Sequence, residues 1–242
     1  MDSNKFCGLL KMCAADMGIE LDECQLDRFE LYKRLLLEWN EKINLTAITD
    51  EKEIMIKHFA DCVSIGKHVK FKDGEKVIDV GTGAGFPGVP VKIAFPNIKI
   101  TLLDSLNKRI NFLNELSSSL GLKDVECVHS RAEDGGQNLL YREQFDCCIS
   151  RAVANLAVLS EYCLPFVKLG GYFISLKGPD AAEEIEGAQA AVKKLGGKIE
   201  ETVKIEIPNS DITHSLVMIK KIAQTPKQYP RKAGTATKKP IK

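Results

Sequence analysis

A chain of 242 residues, 44% hydrophobic and 28% charged, is long enough to bury one large core and does not have the composition of a collagenous or wholly disordered protein. No apolar run approaches the ~18–20 residues needed to span a bilayer, and the first ten residues lack a basic stretch followed by an apolar one, so the protein is expected in the cytoplasm. The net charge of +1 is unevenly placed: residues 212–242 carry eight Lys or Arg and no acid, so a body of net −7 carries a tail of +8. That asymmetry suggests a polyanionic partner, with a solubilising terminus as the plainer alternative.

Residues 1–70 read as helical. Leu26, Phe29, Leu36, Trp39 and Ile43 recur at helical spacing, with Tyr32 filling the one longer gap, which makes a single apolar stripe that must pack on something. A second helix is expected from Asp50, where Asp50 and Glu53 have capping-box spacing, through Ile54, Phe59 and Val63. From Lys76 onward, β-rich runs at 76–80, 99–103, 126–129, 145–150, 172–177, 198–207 and 215–222 are interleaved with helical patterns at 105–120, 156–167 and 181–195. This alternation predicts an α/β fold with a parallel, doubly wound sheet. The last two strands are separated only by Pro208-Asn209-Ser210-Asp211, so they should form an antiparallel hairpin at the sheet edge. The expected organisation is a helical extension packed on the sheet (1–70), the α/β body (71–223) and a flexible basic tail (224–242) containing Pro226, Pro230 and Pro240. The eight cysteines include no C-x-x-C pair, which argues against a zinc site and for reduced core thiols.

The first strand runs directly into Asp79-Val80-Gly81-Thr82-Gly83-Ala84-Gly85-Phe86-Pro87-Gly88. Glycines there let the backbone turn sharply and approach a ligand, and the helix that follows offers unpaired N–H groups. Gly83, Gly85 and Gly88 also satisfy the dinucleotide spacing G-x-G-x-x-G. Counting from Gly81, however, the pattern is G-x-G-x-G with Asp79 two residues earlier, the form of S-adenosylmethionine sites. No G-K-S or G-K-T is present, which excludes a P-loop. Asp104 ends the second strand, where an acid accepts hydrogen bonds from ribose hydroxyls; the alternative is a helix cap, a role that Ser105 is expected to fill. After the third strand, Ala132 and Glu133 fall where adenine is contacted, although Glu133 also suits the positive end of a helix. Seven strands ending in a hairpin, with this loop, match the Rossmann-like class I methyltransferases.

The segments Asn44-Leu45-Thr46-Ala47, His58-x-x-Asp61, the glycine loop with Phe-Pro-Gly, Arg131-Ala132-Glu133, Ser150-Arg151-Ala152, Leu176-Lys177-Gly178 and Tyr229-Pro230-Arg231-Lys232-Ala233-Gly234-Thr235 together resemble one family. It is that of the bacterial small-subunit (16S) ribosomal-RNA guanine-N7 methyltransferases, also called glucose-inhibited division protein B. The resemblance implies cofactor contacts at Gly81, Phe86, Ala132, Glu133 and Arg151, to which the loop argument adds Gly83 and Gly85 and the spacing argument adds Asp104. Cys62 stands where the family usually has Ser, and Ala236 where Pro often follows Gly-Thr.

At the end of the fourth strand, Ser150-Arg151-Ala152 replaces the Asn/Asp-Pro-Pro-Tyr of amino-group methyltransferases. Guanine N7 has an in-plane lone pair, so its methylation requires positioning rather than a base. Arg151 is the candidate to hold the guanine or the methionine end of the cofactor, against the alternative of a structural ion pair. The expected partner is ribosomal RNA or the small ribosomal subunit, contacted by Arg231, Lys232, Lys238 and Lys239, with no metal, no membrane and a monomeric chain. The tail is expected to serve RNA without affecting cofactor affinity. The competing readings are a methyltransferase for another RNA, a protein or a small molecule, an NAD-dependent oxidoreductase, and a noncatalytic RNA-binding module.

Overall fold

The computed structural model describes residues 3–151 and 154–242; Ala152, part of one resembling segment, lies outside them. Its single sheet is built of β1 (Lys76–Val80), β2 (Lys99–Asp104), β3 (Val125–His129), β4 (Phe145–Ser150), β5 (Val167–Lys177), β6 (Gly197–Glu206) and β7 (Thr213–Lys221). The spatial order is β3-β2-β1-β4-β5-β7-β6. The first five strands run parallel, and β7 is antiparallel to both β5 and β6. Beyond their first residues, β1 and β2 are buried throughout, as strands covered on both faces must be. The strand order reverses between β1 and β4, which opens a crevice at their carboxyl ends, the usual ligand position in such sheets.

The helices are α1 (Ser3–Asp16), α2 (Glu23–Ile43), α3 (Glu51–Ile54), α4 (Asp61–Val63), α5 (Gly88–Ala94), α6 (Asn107–Ser119), α7 (Ala132–Gln137), α8 (Leu156–Cys163), α9 (Ala182–Lys194) and α10 (Thr235–Lys238). The stripe read on α2 buries Leu26, Phe29, Tyr32 and Leu36, with Trp39 and Ile43 half-buried. The reciprocal capping box lies at the start of α2, where Asp22 and Gln25 exchange two bonds of 2.8 Å. At Asp50 only half of a box forms, because Glu53 turns to Lys57 instead. The helix expected from Asp50 to Val63 is interrupted by a π-turn at Met55–Ala60. Such turns re-aim side chains and recur at functional sites; this one carries His58 and leads into Asp61. The helix expected over 156–167 ends at Cys163 and tightens into a short 3-10 turn containing Pro165, whose missing N–H cannot extend an α-helix.

Each sheet face has its own core. On one, Phe6, Phe29 and Tyr32 close around Phe59, with ring centroids 5.0–6.0 Å away. On the other, Phe145, Phe166 and Phe173 pack with Tyr229 and Ile241 of the C-terminal segment. The segment expected to be flexible therefore contributes apolar side chains to a core. Its charge pattern masked these anchors, because Tyr229 and Ile241 are isolated among Lys and Pro.

Candidate active site

Two neighbouring constellations sit at the carboxyl edge of the sheet. In the first, the loop leaving β1 is tied to β2 by Gly81 and Thr82 N–H groups donating to the Leu103 carbonyl at 2.9 and 3.2 Å. Gly81 (φ 74°) and Gly83 (φ 62°) are left-handed, a conformation that favours glycine. A Cβ on Gly81 would meet nothing within 4 Å. Gly85 is likewise left-handed (φ 98°) and is crowded as well: a Cβ there would lie 2.7 Å from the Tyr32 hydroxyl and 2.8 Å from Val89. The Tyr32 hydroxyl instead donates to the Ala84 carbonyl at 2.5 Å, so α2 holds the loop from behind. Beneath it, Asp79 Oδ2 accepts the Gly88 N–H at 2.8 Å. Burial raises the Asp79 carboxyl to about 7 against the pull of Thr82, the Gly88 N–H and Arg151.

Asp104, 2% exposed, accepts the Gly83 N–H at 2.9 Å and the Leu106 N–H at 2.9 Å, with Arg109 at 3.3 Å. It thus supports the glycine loop and the start of α6 together. Ser105 does not cap that helix, whose N-cap is Leu106 without a side-chain bond. Gly81, Asp104, Ala132 and Glu133 line one cavity of about 360 Å³, and Gly234 and Thr237 of the C-terminal segment line it too. An open backbone at Gly81 beside a buried carboxylate and a partly apolar wall fits a nucleoside carrying a charged tail. Gly85 and Phe86 face the N-terminal helices instead.

The second constellation centres on Arg151. Its Nη1 donates to Asp61 Oδ2 and to the Lys57 carbonyl, both at 2.9 Å, and its Nη2 lies 3.1 Å from His58 Nδ1. The guanidinium sits 4.9 Å from the centre of the Phe86 ring, and His58 stacks on the same ring at 4.5 Å. Arg151 is thus ion-paired with Asp61, and the pair lines a cleft. His58 Nδ1 faces both the Arg151 donor at 3.1 Å and the Lys57 carbonyl at 3.2 Å; because that carbonyl is already taken by Arg151 Nη1, the arrangement favours an accepting Nδ1, with the proton on Nε2, 2.9 Å from Thr46 Oγ1. Burial and the Arg151 charge lower the His58 pKa to about 4, so the ring is neutral in the cell's pH range. Asp61 also bridges to His214 Nδ1 at 2.7 Å. Burial would raise its carboxyl, but His214 and Arg151 hold it below the usual carboxylate range. Asp61, Arg151, Lys177, Glu184 and His214 line a separate cavity of about 400 Å³.

His214 and Glu184 carry no signal in the sequence, where one is a lone His in the last strand and the other one Glu in an acidic helix. Asp61 and Lys177 lay inside resembling segments without an assigned task. Of the expected RNA contacts, Lys232, Lys238 and Lys239 are exposed. Arg231 is instead bound to Glu161, with Nε–Oε1 at 2.8 Å and Nη2–Oε2 at 2.5 Å. A buried carboxylate, 1% exposed, needs such a partner, and this removes Arg231 from the freely available cations. Cys62, Cys147, Cys148 and Cys163 are buried. Burial pushes the Cys147 and Cys148 thiols well up, as for inert core residues. Among the described residues no group of three or more His, Cys, Asp or Glu is placed to hold a metal.

The strand order, the antiparallel β7 and the cavity beside Gly81 and Asp104 define a class I methyltransferase fold. Solved structures agree at the level of fold: TrmN from Thermus thermophilus matches with TM-score 0.52 and 14% identity, over 69% of this chain and 53% of that one. The P. horikoshii TYW2 structure, in complex with MeSAdo, matches with TM-score 0.52 and 15% identity, over 67% and 61%. The family model for rRNA small subunit methyltransferase G matches residues 25–213. Relatives named ribosomal RNA small subunit methyltransferase G are 57% identical in Alkaliphilus metalliredigens, over 97% of this chain and 98% of the relative. The one in Clostridium novyi is 52% identical over the whole of both chains. The chain belongs to the rRNA small subunit methyltransferase G family, and by that membership is a methyltransferase.

Proposed function

We propose that this protein transfers the methyl group of S-adenosylmethionine to N7 of a guanine in small-subunit (16S) ribosomal RNA. The observation that carries the reading is a pair of cavities in a member of this family, one lined by Gly81, Asp104, Glu133 and Ala154, the other by Arg151 and Lys177, joined where Lys177 Nζ donates to the Ala154 carbonyl at 2.7 Å. Gly81, Gly83, Asp104, Ala132 and Glu133 hold the cofactor, which supplies an electrophilic sulfonium methyl group when bound. Asp104 orients the ribose while fixing the loop through the Gly83 N–H. Arg151 holds the acceptor. Three of its N–H groups are committed to Asp61, the Lys57 carbonyl and His58, which fixes the plane of the guanidinium. Its Nε–H and second Nη2 hydrogen have no partner among the described residues. Directed at guanine O6, they leave the neighbouring N7 lone pair free.

No proton has to leave N7, so catalysis rests on alignment. His58 is kept neutral and tied at both nitrogens, so it positions Arg151 rather than acting as a base. Lys232, Lys238 and Lys239 contact RNA phosphates. No helix among the described residues is long and apolar enough to cross a membrane, and the protein works in the cytoplasm beside its ribosomal substrate. Incubation with labelled S-adenosylmethionine and small subunits or their RNA, followed by nuclease mapping, tests the reading. Label at one guanine as an N7 adduct is expected, and label confined to protein or small molecules would overturn it.

A further inference from the structure

The basic C-terminal segment is fixed more firmly than RNA contact requires. Arg231 bonds Glu161 through its side chain and also through its backbone N–H, at 2.9 Å. Arg142 donates to the carbonyls of Thr225 at 2.7 Å and Tyr229 at 2.8 Å, and Gln137 donates to that of Pro230 at 2.9 Å. Past these anchors the chain turns at Gly234 (φ 76°). Its N–H donates to Glu133 Oε1 at 3.1 Å, and Thr237 pairs with the Tyr162 hydroxyl at 3.1 Å. Glu133 is buried in the first turn of α7 and lines the same cavity as Gly234, Thr237, Gly81 and Asp104. Lys232, Lys238 and Lys239 project into solvent from this one short stretch.

We propose that residues 229–239 form a wall of the cofactor cavity, so that S-adenosylmethionine binding and RNA contact by Lys232, Lys238 and Lys239 act on the same docked segment. The proposal rests on the cofactor reading above. The Gly234 N–H orders the Glu133 carboxylate, and a cofactor seated beside Glu133 and Thr237 holds the segment down in turn. RNA phosphates drawn to the three lysines favour the same docked arrangement. Each ligand then raises the affinity of the other by an equal factor, as linkage demands.

Calorimetry with S-adenosylmethionine on the full chain, on Arg231→Ala and on a chain ending at Ala233 tests this. The shortened chain keeps Tyr229 and the Arg231–Glu161 pair and loses Gly234 and Thr237, whereas Arg231→Ala unpins the segment at full length. Both variants should bind about five- to tenfold more weakly than the full chain. In the natural protein, amides 232–239 should exchange hydrogen more slowly when the cofactor is added, a readout that needs no variant to fold. Unchanged affinity in a variant that still melts cooperatively, or exchange at 232–239 indifferent to cofactor, overturns the proposal while leaving the cofactor reading intact. Absence of binding by the full chain overturns both.

Discussion

The cofactor cavity and the Arg151 cavity are neighbours built in opposite ways. The first takes most of its residues from consecutive strand ends: Gly81 after β1, Asp104 at the end of β2, Ala132 and Glu133 after β3. The second collects Asp61 from the N-terminal helices, Arg151 after β4, Lys177 at the end of β5, Glu184 from α9 and His214 near the start of β7. A fixed local geometry can bind a common cofactor with short motifs, whereas a site for a macromolecular acceptor is shaped by whatever the fold brings to the same edge. The two halves should therefore fail separately when mutated.

The largest separation is expected at Arg151. Arg151→Ala leaves the Asp61 carboxylate with His214 as its remaining partner, and should lower stability by about 2 kcal/mol, within the range for a hydrogen bond to a charged group. Arg151→Lys keeps the charge but loses the planar fork. It should cut the single-turnover rate at least tenfold, about 1.4 kcal/mol, with little change in cofactor affinity by calorimetry. A matching loss of cofactor affinity would merge the two halves into one.

Next comes Asp104→Ala, which removes ribose hydrogen bonds and the Gly83 tether and should weaken S-adenosylmethionine binding by about 1–3 kcal/mol. Gly83→Val should act in the same direction by straining a left-handed position. Both should leave the Arg151 half intact, seen as an unchanged transfer rate at saturating cofactor.

Two buried groups sharpen the comparison through pH. Asp79, raised to about 7 from 3.8, contributes stability that is present below pH 3.8 and lost as pH rises toward 7. His58, lowered to about 4 from 6.5, contributes stability that is present above pH 6.5 and lost as pH falls toward 4. Across the shared window their slopes oppose, each by up to about 1.4 kcal/mol per pH unit. Denaturant titrations of Asp79→Asn should therefore show stability rising with pH between 4 and 6.5, and those of His58→Gln should show it falling. Identical slopes in the two variants would remove the opposition.

The smallest effects lie on the surface. Neutralising Lys232, Lys238 or Lys239 should each lower the log–log salt slope of RNA binding by about 0.7 if the contacted RNA is single-stranded. Equal slopes for variant and natural protein would return the tail charges to a solubilising role.

The sheet was legible because β and helical runs alternate from Lys76 to the closing hairpin, and the cavity beside Gly81 because the residues from Gly81 to Glu133 follow that alternation at the strand ends. The Arg151 cavity was legible only at Arg151 itself. Its supports come from sequence positions as far apart as 61 and 214, and the π-turn that aligns His58 leaves no periodic trace. The C-terminal segment was misread for a related reason. Its charges spoke for solvent and RNA, while the contacts that hold it, Arg231 to Glu161 and Gly234 to Glu133, span 70 and 101 residues of sequence.

In the proposed function the acceptor is a free lone pair, aligned by Arg151 without a base. His58 is held neutral and ion-pair-bound groups surround it, while Asp79, the carboxyl raised into the neutral range, is tied beneath the loop to the Gly88 N–H. The methyl-transfer rate under single-turnover conditions, at saturating RNA and cofactor, measures this directly. A nearly flat profile is expected from about pH 6 to 9, where bases tuned for catalysis titrate. A rate rising tenfold per pH unit through neutrality would contradict it.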